Sequence, residues 1–416
     1  MGKTIAEKIL SRAVGQPVSP GEIVFPYPDL ITVHDGHAMN LKKDLDEFGA
    51  KKMWHPERVI FACDHHAPLF SLQEAEKVKS TRTFARDLGI GHFFETGQGN
   101  GHIVPMERGL VRPGMFVFAY DIHVTNFGAV GALGVPVNYD ISSVCALGSV
   151  WIEVPKTLRI NLVGKAYPGV SARDVAQHII RDIGDEVANY TVFEYGGPGI
   201  ANVDFSGWMT LCNLPIEVGA VSAIVEPNDQ MLARVRQRTK EAFEAVWSDA
   251  DAEYVIVKEY DLSRVEPLIA APPQPDNIHP VSRYAGLSID VAVIGSCTIG
   301  YDDLVQVAAI LRGKQVAPNV RLVIAPPTHE ILQRAAQEGL MNIFLGAKAL
   351  VLPPGCGPCI GGRGAVLADG EVCVATITRN DPGRMGSAQA DIYLGSAAMV
   401  AASAVTGRIT DPRELN

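Results

Sequence analysis

Short runs built almost wholly from Val, Ile, Phe, Leu and Ala punctuate the chain: "RVIFACD", "MFVFAYD", "LRINLVG", "SIDVAVIGS" and "VRLVIAPP". Between them, apolar residues return every three or four positions, as in "SARDVAQHIIRDIGDEVANY" and "DDLVQVAAILRG". Continuous apolar runs bounded by turn residues predict buried strands, and the longer period predicts amphipathic helices. Their alternation predicts an α/β protein with largely parallel sheets. Several runs end directly in a polar or Gly-rich turn, where open α/β sheets place their ligands, so functional residues are expected just after strands. The opening "MGKTIAEKILSRAVGQ" predicts a short amphipathic helix with charges of both signs. The Pro-rich passage "VEPLIAAPPQPDNIHPVS" is expected to be an extended linker, because proline stiffens the chain and blocks helix continuation.

Composition narrows the class. A chain of 416 residues exceeds the size at which one core keeps growing, so several domains are expected. Hydrophobic residues make up 47%, yet Gly, Pro or a charge breaks the apolar runs before they reach the ~18 residues of a membrane span. The N-terminus lacks the apolar stretch and cleavage site of a secretory signal, which makes the cytoplasm the expected location. A net charge of −10, with no basic patch interleaved with aromatics, argues against nucleic acid or an anionic membrane as partner. Small anionic ligands would need locally placed arginines. Seven cysteines form an odd set in such a chain, which predicts reduced thiols or a metal rather than a disulfide framework.

Three of those cysteines stand out. Cys297 follows a predicted strand in "VIGSCTIG", and Cys356 and Cys359 form a C-x-x-C pair in the loop "PPGCGPCIGG". Three thiolates on two loops suit three irons of a cubane cluster or a zinc ion, and a small buried Cys297 beside a chance pair is the third reading. Cys63, Cys145, Cys212 and Cys373 stand alone in apolar contexts and read as core. Histidines recur beside carboxylates: His34, Asp35 and His37 in "VHDGH", Asp64, His65 and His66 in "CDHHAP", His102 in "GNGHIV", and Asp121 and His123 in "YDIHVT". A carboxylate near an imidazole fixes its tautomer and raises its pKa, which makes a proton donor suited to expelling hydroxide. Arg379 and Arg384 in "TRNDPGRMGS" form a plausible fork for carboxylates. Asn213 and Glu217 open an apolar segment in "MTLCNLPIEVGA", where a Glu either caps a helix or acts chemically.

Taken in order, "CDHHAP", "GQGNGHIVPMERGLVRPGMFVFAYDIHVTNFGAVGAL", "MTLCNLPIEVGA", "VIGSCTIGYDDL", "PPGCGPCIGG" and "TRNDPGRMGSAQADIYLGSAAMVAASAVTG" resemble the aconitase superfamily over nearly the whole chain. The likeness is to the separate large subunits of isopropylmalate isomerase and homoaconitase. It implies three α/β/α domains around a [4Fe-4S] cluster with one open iron, expected at 1–150, 151–264 and 286–416 with the Pro-rich linker at 265–285. It implies cluster ligation by Cys297, Cys356 and Cys359, with Asn213 packed beside the cluster. The substrate class is a hydroxy di- or tricarboxylic acid, dehydrated reversibly. Carried over by motif, Asp64 and His65 donate to the leaving hydroxyl, His102 and Glu217 surround the bound water, Asp121 and His123 assist, and Arg379, Arg384 and His34 contact substrate. Alternatives within the fold are another metal site or another hydroxy acid; an RNA-binding regulatory relative is disfavoured by the acidic charge.

The match has departures. The family usually has Ser where this chain has Ile122, and Asn where it has Ile299 and Thr378. Losing polar groups there alters contacts to substrate carboxylates and to sulfur. The resemblance also implies that the swivelling domain with the serine base is supplied by a separate small subunit.

Overall fold

Strands buried at every residue, such as Leu30–His34, Val59–Ala62 and Phe116–Ala119, need a sheet covered on both faces. The computed structural model, which describes residues 2–415, meets that need three times. The first sheet is wholly parallel, in the spatial order His92–Phe94, Val59–Ala62, Leu30–His34, Phe116–Ala119, Leu133–Pro136. Counted along the chain this is the doubly wound order 3-2-1-4-5. The second sheet repeats it as 3-2-1-4, with Ser222–Val225, Thr191–Gly196, Lys156–Val163 and Val257–Asp261 side by side and parallel. The third has a parallel core of Leu350–Val351, Arg321–Ile324, Val291–Ile294, Val372–Ala375 and Asp391–Gly395, again 3-2-1-4-5.

The winding decides where chemistry can sit. In such sheets the crossovers on either side of the first strand leave in opposite directions, and ligands bind in the crevice beyond the strand ends at that switch point. In the first sheet the switch lies between Leu30–His34 and Phe116–Ala119, so it exposes the residues after His34 and around Asp121. In the third it lies between Val291–Ile294 and Val372–Ala375, exposing Cys297 and the segment leading to Arg379.

The Pro-rich passage, expected as a linker, is extended and adds two short strands to the third sheet. Leu268–Ala270 pairs antiparallel with Asp391–Gly395, and Ile278–Pro280 pairs outside it. An edge position tolerates proline because one side of the strand has no ladder to donate to. One apolar cluster runs through all three sheets, uniting Ile60, Leu158 and Val293, and so fixes the units against one another. The predicted N-terminal helix forms at Ile5–Val14, opened by a Thr4–Glu7 capping box and closed by Gly15 at φ 83°.

Candidate active site

The histidine–carboxylate motifs fold into one connected network at the first switch point. Asp64, fully buried, accepts at Oδ1 from His34 Nδ1 at 2.9 Å and from His65 Nδ1 at 2.8 Å. Its Oδ2 accepts the Gly101 backbone N–H at 2.7 Å. That close approach requires glycine, since a Cβ at 101 would stand 2.6 Å from His34 Cε1. Asp35 orients the loop from behind, accepting the backbone N–H groups of His65 and His66 at 3.1 and 3.0 Å. On the other side, Asp121 lies 3.6 Å from His65 Nε2, 3.1 Å from His102 Nε2 and 3.3 Å from His123 Nδ1. His123 Nε2 reaches Glu217 at 3.0 Å, and Glu217 in turn takes Arg379 Nε at 2.7 Å.

Environment sets these groups to different tasks. Burial alone would lower the pKa of His65, but the charges of Asp64 and Asp121 outweigh it and hold the imidazole well above its usual value. His123 is likewise opposed by burial and carried up to about 9 by Asp121 and Glu217. Burial wins at His102, whose pKa falls to about 4. It is a neutral imidazole at physiological pH, and with Nε2 turned to Asp121 its buried Nδ1 has no partner. Neutral and charged imidazoles side by side are what acid–base division of labour requires.

His123 also carries a stability prediction. Its folded-state pKa lies above the unfolded value near 6.5, so its contribution is full below that pH and is lost as pH rises through about 9. His123→Gln should therefore cost up to ~3 kcal/mol at pH 6 but markedly less at pH 9.5, by chemical unfolding at both pH values. A pH-independent cost would disprove the pairing.

The cysteines come from the third sheet. Cys297 follows Val291–Ile294 in a turn held by a chain of hydroxyls: Thr376 Oγ1 accepts from Gly295 N–H at 2.8 Å, and Thr298 Oγ1 donates to the Thr376 carbonyl at 2.6 Å. Ser296 beside it adopts φ 85°, a region a non-glycine residue occupies only under such restraint. Cys356 and Cys359 lie beyond Leu350–Val351, where Gly357 is needed at φ 59° because a Cβ would meet Ala325 Cβ at 2.7 Å. The Cys356 backbone N–H donates to the Asp64 carbonyl at 3.1 Å, tying the two sheets' loops together.

Each sulfur faces its own nitrogen donor. Asn213 Nδ2 lies 3.2 Å from Cys297 Sγ, Asn100 Nδ2 lies 3.1 Å from Cys356 Sγ, and Arg384 Nη2 lies 3.5 Å from Cys359 Sγ. Burial raises the Cys297 and Cys356 thiols well above their usual value, whereas Arg384 overcomes burial and lowers that of Cys359. Soft ligands crowded together and supplied with N–H donors fit an iron–sulfur cluster, whose positive irons would let all three ionise. Cys63, Cys145, Cys212 and Cys373 are buried as free thiols.

Protonating groups and sulfurs meet across a cavity of about 130 Å³, walled by His65, His102, the three cysteines and the two arginines among others. Asp64, Asn213, Glu217 and His34 stand behind that wall. His34, expected at the substrate, is 1% exposed and packs its ring 4.5 Å from that of His102, so it positions Asp64 instead of lining the cavity. Arg384 Nε is buried there without a partner, as an arginine awaiting an anion would be. Of the departures, Thr378 Oγ1 lies 3.6 Å from Cys359 Sγ, Ile299 is buried in an apolar cluster, and Ile122 lines the cavity.

Three contributors are not legible in the sequence. Asn100 sits in the "GQGNGH" motif, two residues before His102, but nothing local marks it as a sulfur donor. Asn126 joins Asn213 to the Cys297 carbonyl, accepting from one at 2.8 Å and donating to the other at 2.8 Å. Arg173, buried at the start of the helix Ala172–Ile183, donates to the carbonyls of Thr376 and Ile377 at 2.5 and 2.8 Å and so braces the segment that carries Arg379.

Comparisons with known proteins find relatives over nearly the whole chain. A family model described as "Aconitase family (aconitate hydratase)" matches residues 7–286 and 280–407. The "3-isopropylmalate dehydratase large subunit 1" of Methanopyrus kandleri is 41% identical over 415 residues, covering 99% of both chains. The "Probable methanogen homoaconitase large subunit" of Methanothermobacter thermautotrophicus is 40% identical over 417 residues, 99% of this chain and 97% of its own. Among solved structures, Thermococcus kodakaraensis aconitase X aligns over 93% of this chain and 87% of its own, with TM-score 0.49 and 14% identity. Matched nearly end to end by a family model and by relatives at about 40% identity, this chain belongs to the aconitase family.

Proposed function

We propose that this chain is the cluster-bearing large subunit of an iron–sulfur hydro-lyase that reversibly dehydrates a hydroxy di- or tricarboxylic acid, with a smaller subunit completing the site. The observation that carries the reading is the cavity itself, where three cysteine sulfurs with separate nitrogen donors face charged and neutral imidazoles. Cys297, Cys356 and Cys359 would hold a [4Fe-4S] cluster. When bound, that cluster supplies a Lewis acid for the substrate's hydroxyl and carboxylate oxygens.

The chain's own residues supply acid and orientation. His65, kept protonated by Asp64 and Asp121, donates its Nε2 proton to the departing hydroxyl, so that water leaves instead of hydroxide. Neutral His102 offers Nδ1 to that water, and the His123–Glu217 pair keeps its charge fixed nearby. Arg384, and Arg379 held by Glu217, bind the carboxylates. The proton on the neighbouring carbon leaves to a base that we assign to the partner, in keeping with relatives named as large subunits. Re-adding water at the neighbouring carbon makes the net reaction an isomerisation.

The test is anaerobic assay of the reconstituted chain and its partner against hydroxy acids, following the conjugated alkene by its ultraviolet absorbance. Turnover of at least one hydroxy di- or tricarboxylate is expected. None across malate, 2-methylmalate, 3-isopropylmalate, homocitrate and citrate would refute the reading.

A further inference from the structure

A group of exposed apolar side chains lies at the end of the first sheet opposite the cavity. Ile23–Val24 and Ile152–Glu153 pair antiparallel as a separate two-stranded ribbon, Ile23 across from Glu153 and Val24 across from Ile152. Continued one step, that register sets Phe25 across from Trp151. Side chains alternate between the two faces of a strand. Val24 and Ile152 are accordingly buried, while Ile23, Phe25, Trp151 and Glu153 stand on the outer face. The patch runs on past the ribbon. Ser149 Oγ donates to the Pro26 carbonyl at 2.7 Å and holds residues 147–151 beside Tyr27. Both segments pack on Trp54, whose ring lies 5.8 Å from that of Tyr27 and would stand 2.5 Å from a Cβ at Gly148.

Area, charge and position choose the occupant. Ile23, Phe25, Tyr27, Leu147 and Trp151 are each 53% to 72% exposed. At about 150–250 Å² per large side chain they present roughly 600 Å² together, the upper end of what a monomer exposes and most of the ~800 Å² that each partner gives to a standard interface. Copies of a chain with net charge −10 repel one another except where a neutral face meets its like. On the outer face of the ribbon Glu153 is the one charge, so this face suits itself, as a two-fold contact requires, and offers a charged partner little to read. The ribbon leads into the N-terminal ends of Leu30–His34 and Lys156–Val163, whereas the cavity lies beyond the C-terminal ends of the first and third sheets. A subunit seated on the cavity therefore leaves this face bare. We infer that the face meets the same face of a second copy, giving a two-fold dimer of the chain with Phe25 and Trp151 at the contact.

Sedimentation velocity, on protein purified anaerobically with any accompanying small subunit, counts the copies. Two copies of this chain per particle are expected with the small subunit present or removed, and at low and high salt alike, because salt does not screen an apolar contact. Phe25→Ala and Trp151→Ala should each raise the dimer's Kd by ~10-fold or more, and Trp151→Glu should leave single copies. Leu345→Glu, at a similarly exposed position on the helix Leu340–Gly346 of the third unit, should leave the dimer intact. All of these side chains are exposed in the single chain, so the circular dichroism of each variant should match that of the parent. One copy per particle at every concentration, two copies only while the small subunit is bound, a dimer that separates in high salt, or a Kd unmoved by both alanine variants overturns the inference. A two-copy particle that dehydrates nothing refutes the dehydratase reading and leaves the contact standing, and a one-copy particle that turns over does the reverse.

Discussion

His65→Gln should lower kcat by about 10²–10⁴-fold while leaving KM close to its original value, because the lost group acts on the leaving oxygen and not on substrate binding. The proposed acid role of His65 rests on three features of its geometry. It lines the cavity, its Nδ1 is fixed by Asp64 at 2.8 Å, and its Nε2 points toward Asp121 at 3.6 Å, close enough to stabilise charge but loose enough to release the proton. A companion variant separates charge from shape. Asp64→Asn keeps the shape of the side chain but removes the anion that raises the His65 pKa, so the alkaline limb of the rate profile should move to lower pH. The sign follows from the acid role: activity needs the protonated form, and a lower pKa loses that form sooner as pH rises. An unchanged limb and rate in Asp64→Asn would show that another group donates the proton.

Addition of the small subunit should raise the rate of the cluster-loaded chain by a comparable factor, roughly 10²–10⁴, since a positioned base typically contributes that much. In the proposed reading the chain supplies carboxylate-binding arginines and an acid, and the base is assigned to the partner. Phe70 and Leu72 are 60% and 78% exposed where the segment after the Asp64–His65 motif enters the helix Leu72–Leu88, and Ile360 is 40% exposed on the loop after Cys359. Arg363 clasps the two loops together, donating to the Pro68 carbonyl at 2.9 Å and to Glu74 at 2.6 Å. Exposed apolar side chains grouped around such a clasp are a surface a partner could cover. Full activity from the reconstituted chain alone, with no partner detectable by mass spectrometry, would mean that the base lies within this chain.

Much of this was legible before any coordinates, for physical reasons. Sheets buried on both faces demand near-continuous aliphatic runs, so strands such as "VIFA" and "VAVI" announce themselves. Ligands collect at strand ends, so Asp64, Asp121 and Cys297 could be placed just after strands. What escaped depends on contacts distant in sequence. The Asn100–Cys356 bond spans 256 positions, and the two residues flanking it give no local sign of the pairing. Arg173 reads as one more charge on an amphipathic helix until the fold sets it under the Thr376 carbonyl. His34 is a different case, since its motif resembles that of a substrate contact while the strand end buries it beside Asp64. The prolines of 265–285 signalled a linker because edge pairing, which excuses proline, leaves no mark in sequence.

The central claim is that Cys297, Cys356 and Cys359 hold an iron–sulfur cluster at the cavity. Iron and acid-labile sulfide analysis with EPR, on protein purified and reconstituted without oxygen, tests it most directly. The account predicts a brown protein with about three to four irons per chain and matching sulfide, reduced sharply by serine at any one of the three cysteines and untouched by serine at Cys145. A colourless, iron-free protein after reconstitution, or stoichiometric zinc in its place, would contradict it.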